Sequence, residues 1–224
     1  MAEMLPALGL TMRLAGVTAL LLLFAGTPLA WWLARTRSAA RPVVEAITAL
    51  PLVLPPTVLG FYLLLLFSPT SPFGGFWVAV TGSTLTFSFT GLVLASMVYS
   101  LPFMVQPLQA AFESVDDELL NAAASLGASP LDRFFSVVCP LSVRGFLNGV
   151  ILTFAHTVGE FGVVLMVGGS LPGETRVVSI ALYEYVETMR LDAAHQLAGI
   201  LLAFSVLVLV IVYTLNRRYR MRIA

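Results

Sequence analysis

A chain of 224 residues that is 58% hydrophobic and 11% charged, with a mean hydropathy of +0.94, is too apolar for a soluble domain, and its class is integral membrane. Its formal net charge is zero, which points to neither nucleic acid nor an acidic soluble partner. All twelve basic residues are Arg, so a phosphate loop or Schiff-base site that needs Lys is excluded, and the single Cys139 allows no internal disulfide.

In chain order, Met1-Ala2-Glu3-Met4 offers no basic stretch, and the apolar run that follows is longer than a signal core, so no cleaved leader is expected. Runs near the ~20 residues that cross a bilayer occur at 14–34, 46–67, 84–107, 146–168 and 197–215. Arg13 precedes the first. Trp31 and Trp32 near its far end, and Trp77 before the third, suit interfacial belts. The second run, AITALPLVLPPTVLGFYLLLLF, carries Pro51, Pro55, Pro56 and Gly60, so its helix should kink or break. Lipid tolerates a break where protein or a water-filled cavity takes up the freed carbonyls, and interrupted spans often line pathways; a kinked packing helix is the plainer alternative. Pro102 and Pro107 should bend the end of the third run.

Five spans put the chain ends on opposite sides. An outside N-terminus leaves nine Arg inside against three outside, so the positive-inside rule places the C-terminus and the 108–145 segment in the cytoplasm.

That segment is a polar island from Ser114 to Pro140. Ser114 with Asp117 has capping-box spacing, and Asp116, Asp117 and Glu118 fall in a first helical turn that favours negative charge. Val115, Leu119, Ala122, Ala123 and Leu126 share one helical face. Gly127 supplies a stop. Ser129 then caps a second helix, with Pro130 in its first position and Asp132 three residues after the cap. Leu131, Phe134, Phe135 and Val138 make its apolar stripe, and Pro140 limits it. Such short helices need a partner surface. A headgroup-bound pair is the alternative, but four carboxylates against Arg133 disfavour anionic lipid.

The island resembles the cytoplasmic EAA loop of ABC importer permeases. Asn121-Ala122-Ala123, Gly127 and Val137-Val138-Cys139-Pro140 keep that loop's spacing, while Asn121 replaces Glu, Val137 Ile and Cys139 Leu. Pro51-Leu52-Val53-Leu54-Pro55-Pro56 with Gly60, Gly159-Glu160-Phe161-Gly162, and Pro172-Gly173-Glu174-Thr175-Arg176 resemble segments of molybdate permeases, over about residues 40–190. Sulfate permeases share a segment similar to the second of these.

The resemblance implies an all-α membrane fold of the type I importer permease class, with five or six transmembrane helices in one domain over 1–224 and a coupling loop at about 110–145. It implies ATPase contact through Asn121, Ala122, Ala123, Gly127, Ala128, Pro130, Phe134, Phe135 and Pro140. Pathway or gate candidates are Pro51, Pro55, Pro56, Gly159, Glu160, Phe161, Gly162, Glu174 and Arg176. It implies a bacterial inner-membrane location and alternating access, and because five spans can hardly surround an ion path alone, a homodimer with the path at its two-fold interface is expected. The expected partners are two ABC ATPase subunits that hold the ATP and Mg, and an extracytoplasmic molybdate-binding protein. No cofactor or metal is expected in this chain.

His156 and Glu160 lie four apart in the fourth run and should share a helix face. A metal site, a proton relay and a structural pair all fit that spacing, the structural pair best. A charged, exposed Glu160 would repel a dianion, so it should be neutral or bonded away from the path. Arg176 suits an oxyanion; an ordinary loop pair with Glu174 is the alternative. His195 should open the last span at the interface, and Cys139 should be a packing residue. Two other function classes compete. An intramembrane hydrolase would need Ser129 and His156 together, which their positions in the island and deep in a span disfavour. A proton-coupled carrier would need no ATPase. Tungstate and sulfate compete as cargo.

Overall fold

The computed structural model describes residues 4–220, with side chains through residue 214. The side chains of Arg217, Arg218 and Arg220, and Arg222 altogether, carry part of the charge asymmetry and lie outside the described residues. All regular structure among the described residues is helical.

Helix α1 (Met4–Arg35) starts ten residues before the expected span, so Arg13 lies inside it rather than ahead of it, its guanidinium 4.6 Å from the centre of the Phe89 ring. The second run is broken. Helix α2 (Arg41–Val53) and helix α3 (Pro56–Phe67) meet at 113°. The cause is local, because the residue before a proline is pushed out of the helical region. Leu54 before Pro55 has ψ 138, and Pro55 before Pro56 has ψ 134. A short α4 (Pro72–Thr81) follows, capped by the Ser71 hydroxyl. Helix α5 (Phe89–Glu113) then runs through Pro102 and Pro107 without interruption.

The island forms α6 (Asp117–Ser125), the single turn α7 (Pro130–Arg133), a π-helical turn (Phe134–Val138) and α8 (Cys139–Leu141). Pro140 has no N–H to give to a carbonyl four residues back, which favours the wider turn ahead of it. The chain bends by 72° into α9 (Val143–Gly159). The fourth run is not one helix. It stops at Gly159 and resumes as α10 (Gly162–Gly168) after the non-helical Glu160 and Phe161. Helix α11 (Val178–Glu187) precedes α12 (Leu191–Arg220). His195 therefore lies within the first turns of α12.

By length and composition, α1, α5 and α12 can each cross a membrane, and counting each bent pair as one span gives up to five. No sixth span appears among the described residues.

The bundle centres on α1, α5 and α9. Gly145 and Gly149 of α9 leave no room for a Cβ beside Ala111 and Met104 of α5, the close approach that small residues permit between membrane helices. One apolar cluster (Leu22, Leu33, Leu108, Phe112, Val138) sits at the Arg35 end of α1 beneath the island. Another (Met4, Ala7, Ala181, Tyr185, Leu197) sits at the opposite end beneath α11. Helix α12 is the outlier, with only 11% of its apolar window buried.

Candidate functional site

Two candidate sites lie at different depths of the bundle. The first is the polar island, expected from its sequence to be a coupling loop. Asp116, not Ser114, caps α6: its carboxylate accepts from the Glu118 N–H, while the Ser114 hydroxyl bonds back to the Ala111 carbonyl. The expected apolar face is only partly turned to the bundle, through Val115. Leu119 and Leu126 are exposed, and Leu120 packs on the core instead. Gly127 holds φ +87, as its place after a helix end requires. The Ser129 box forms as its spacing predicts. The Asp132 N–H donates to the Ser129 hydroxyl, and the Ser129 N–H and hydroxyl both donate to the Asp132 carboxylate. Those bonds from Ser129, the hydroxyl first, hold the Asp132 carboxyl below its ordinary range.

The loop is fastened to the bundle by charge and by aromatic packing. Arg35, at the end of α1, donates to the carbonyls of Phe112 and Val115 at 2.9 Å each and pairs with Asp117. Trp31, Phe112 and Phe134 meet edge to face at 5.4–5.9 Å. Trp31 is thus a core residue, and Trp32 alone keeps substantial exposure at that end. Arg41 bridges Glu45 and Glu113, tying the start of α2 to the end of α5. Asn121, Ala122, Gly127, Pro130, Phe135 and Pro140 remain exposed, Ala123, Ala128 and Phe134 half-buried. The loop thus presents an uncovered surface with Leu126 at 89% and Leu131 at 71% exposure. Cys139 lines an apolar groove with Phe135 and Phe146, consistent with packing.

The second site is a cavity of about 470 Å³ where the two broken spans meet. Pro56, Gly159, Glu160, Phe161 and Gly162 line it, with Thr57, Tyr99 and His156. The halves are pressed together: a Cβ on Gly162 would come 2.8 Å from the Pro56 Cβ, and one on Gly60 2.8 Å from the Met166 Cβ. The carbonyl of Glu160, outside any helix, accepts from the Ser179 hydroxyl at 2.5 Å, which lets the break persist. His156 and Glu160 do not share a helix face, because α9 ends between them, yet both reach the same cavity. His156 Nδ1 lies 2.9 Å from the Ser100 hydroxyl, and its ring stacks on Phe103 at 3.9 Å.

The other pathway candidates do not join this cavity. Pro51 is buried within α2, and Pro55 caps α3 without lining the space. Glu174 is exposed in the turn after α10, and Arg176 pairs with Glu184 at 2.7 Å rather than with Glu174. Ser170 bonds the same Glu184, so the outer turn is braced against α11. Ser129 and His156 sit on the two separate sites, which removes the hydrolase reading. Sequence reasoning missed Thr57, Tyr99, Arg35 and Glu184. A lone phenol in an apolar run was the available signal for Tyr99; nothing local marks Arg35 as a staple 82 residues from Asp117.

Residues 26–221 match the family described as binding-protein-dependent transport system inner membrane component. The chain belongs to that family. This permease is 53% identical over 216 residues to the molybdenum transport system permease protein ModB of Azotobacter vinelandii, covering 96% of this chain and 95% of the relative. It is 36% identical over 179 residues to the ModB protein of Escherichia coli K12, covering 80% and 78%. The sulfate transport system permease protein CysT of E. coli K12 is 33% identical over 198 residues, covering 88% and 71%. Among solved structures, the permease resembles a chain of the inward-facing MetNI methionine ABC transporter with TM-score 0.74 at 18% identity, covering 97% and 96%. It also resembles a chain of a bacterial alginate ABC transporter with TM-score 0.77 at 16% identity, covering 98% and 80%. These likenesses give the fold of an ABC importer permease. The chain is a multi-pass membrane subunit of such a transporter.

Proposed function

We propose that this permease forms the membrane path for molybdate in an ATP-driven importer, with ATP and Mg held by separate ABC subunits docked on the coupling loop. The observation that carries the cargo is 53% identity, across nearly the whole of both chains, to a molybdenum permease. Sulfate is the second reading, favoured by the CysT relative at the lower identity of 33%.

The assembly is a homodimer, with two ATPase subunits on the cytoplasmic side and an oxyanion-binding protein on the other. The N-terminus lies outside and the C-terminus in the cytoplasm. The exposed apolar side chains of the coupling loop, Leu126, Leu131 and Phe135, fit a protein cleft better than acidic neighbours would fit anionic headgroups. Approach of the two ATPases on binding ATP moves the coupling loops. Arg35 and the Trp31 cluster carry that motion into α1 and α5. The broken spans then exchange inward-open and outward-open arrangements of the cavity, while Arg176 and Glu174 line the outer turn near the delivery side.

The test is ATP hydrolysis and anion uptake by the reconstituted transporter in sealed vesicles, with the binding protein loaded in turn with molybdate, tungstate and sulfate. Molybdate should stimulate both. Stimulation by sulfate alone would replace the cargo, and uptake driven by a pH gradient without ATP would sink the importer reading.

A further inference from the structure

The cavity contains polar groups that the fold itself does not use. Glu160 is 3% exposed, and the buried Ser96 hydroxyl stands beside its carboxyl, yet neither carboxyl oxygen makes a well-formed hydrogen bond among the described residues. Burying such a group unpaired is costly unless a ligand or water completes it. Thr57 and Tyr99, both hydroxyl-bearing, line the same cavity. Tyr99, His156 and Glu160 are the titratable groups among the lining residues, and no Arg lines the space.

Hydrogen bonding orients the histidine. The Thr157 hydroxyl gives its proton to the Thr153 carbonyl at 2.9 Å, so the Ser100 hydroxyl, 3.0 Å away, donates to Thr157. Ser100 then has only lone pairs left for His156 Nδ1, which must carry the proton in their 2.9 Å contact. Nε2 of the neutral ring is left as a lone pair, open to a second proton.

A dianion entering this space would meet no fixed cation, and a Glu160 carboxylate would repel it. A protonated Glu160 removes the repulsion, and a proton gained by His156 balances one of the anion's two charges, leaving the other to hydrogen bonds from the carboxyl and hydroxyl groups. We propose that this cavity is a transient subsite for a tetrahedral oxyanion, held by the Glu160 carboxyl, the His156 imidazolium and the hydroxyls of Thr57 and Tyr99. The proposal rests on the oxyanion-import reading above. The proton on Nε2 comes from the outer solution as the anion enters, and returns to solution as the anion leaves. No bond within the anion breaks. A site without a permanent positive charge releases its anion when that proton is lost, as a transit site must.

The test uses the assembled transporter in vesicles and reads molybdate imported per ATP hydrolysed. Losing charge-assisted hydrogen bonds in His156→Gln combined with Thr57→Val should lower that ratio about tenfold. A merely structural defect would slow import and hydrolysis together, so an unchanged ratio overturns the proposal. If the wild type imports sulfate but not molybdate, the cargo assignment fails, and the same ratio measured with sulfate decides the subsite. Should the variant fail to assemble, a second measurement on the wild type decides. The permease has two histidines, so ¹⁵N-histidine labelling of that subunit in nanodiscs, with the remaining signal assigned by His195→Gln, isolates His156. Molybdate-loaded binding protein with a non-hydrolysable ATP analogue should move its Nε2 signal to that of an imidazolium. A signal that stays neutral overturns the proposal.

Discussion

Between Asp117 and Leu141 the conformation is set mainly by residues a few positions apart: Asp116 caps α6, Gly127 ends it, and Ser129 and Asp132 cap each other. At the intramembrane cavity the wall is assembled from Pro56, Tyr99, His156 and Gly162, which come from segments tens of residues apart. The loop caps its helices with its own carboxylates and hydroxyls and leaves apolar side chains uncovered. The cavity does the reverse, leaving Glu160 unpaired inside an apolar bundle. The first pattern suits docking onto protein, the second a polar passenger. Local construction also tolerates local damage, whereas a shared wall fails as a whole.

The sharpest way to break that comparison is Gly162→Val. Its Cβ would strike the Pro56 Cβ at 2.8 Å with backbone close behind, an overpacking that costs about 1–3 kcal/mol or more. We expect reduced accumulation and a lower thermal midpoint in detergent; normal values would mean the two breaks are not firmly packed.

Gly127→Val should behave differently. Nothing lies within 4 Å of the added Cβ, so the damage is confined to the backbone at φ +87. A left-handed β-branched residue costs about 1–2 kcal/mol, enough to shift the docked loop's population about tenfold. ATP-driven uptake should fall accordingly while membrane insertion and thermal midpoint persist. A folding defect here would erase the contrast.

Arg35→Met removes the staple while keeping the stem. It leaves the exposed Asp117 to water and frees two carbonyls, so uptake per ATP should fall about fivefold, an effect of about 1 kcal/mol. An unchanged ratio would leave the aromatic cluster as the sole link.

The smallest effect belongs to the Ser129 box. Asp132 titrates below its ordinary range, so the box contributes in full above about pH 4 and fades as pH falls through the lowered value. Ser129→Ala should lower the coupled uptake about twofold at neutral pH, and should abolish the acid-dependent loosening of the loop seen by hydrogen exchange.

The same contrast explains what could be read from the sequence. Gly127 and Ser129-Pro130-Asp132 were legible because each needs only near neighbours, and Pro55-Pro56 announced its break through proline geometry. Ser114 was misread as a cap because Asp116, two residues on, offers a carboxylate where a hydroxyl was expected. Leu120 lies off the face that the spacing marks as apolar, yet a helix beginning at Asp117 turns it inward onto the core. The break at Glu160 carries no proline. Only Gly159 and Gly162 flank it, and what holds it open, the Ser179 hydroxyl and the face of Pro56, lies elsewhere in the chain. Thr57 was invisible as a site residue for the same reason, and Tyr99 offered only its phenol in an apolar run.

One feature of the fold reaches beyond stability. The second and fourth runs are packed tightly at their breaks, Gly162 against the Pro56 side chain, and again further along, Gly60 against the Met166 side chain. Two independent hinges would allow one face of the path to open before the other had shut. Hinges that share a bearing surface cannot turn separately. If the proposed path runs here, such contact is the mechanical equivalent of an interlock, in which a movement at one break is felt at the other.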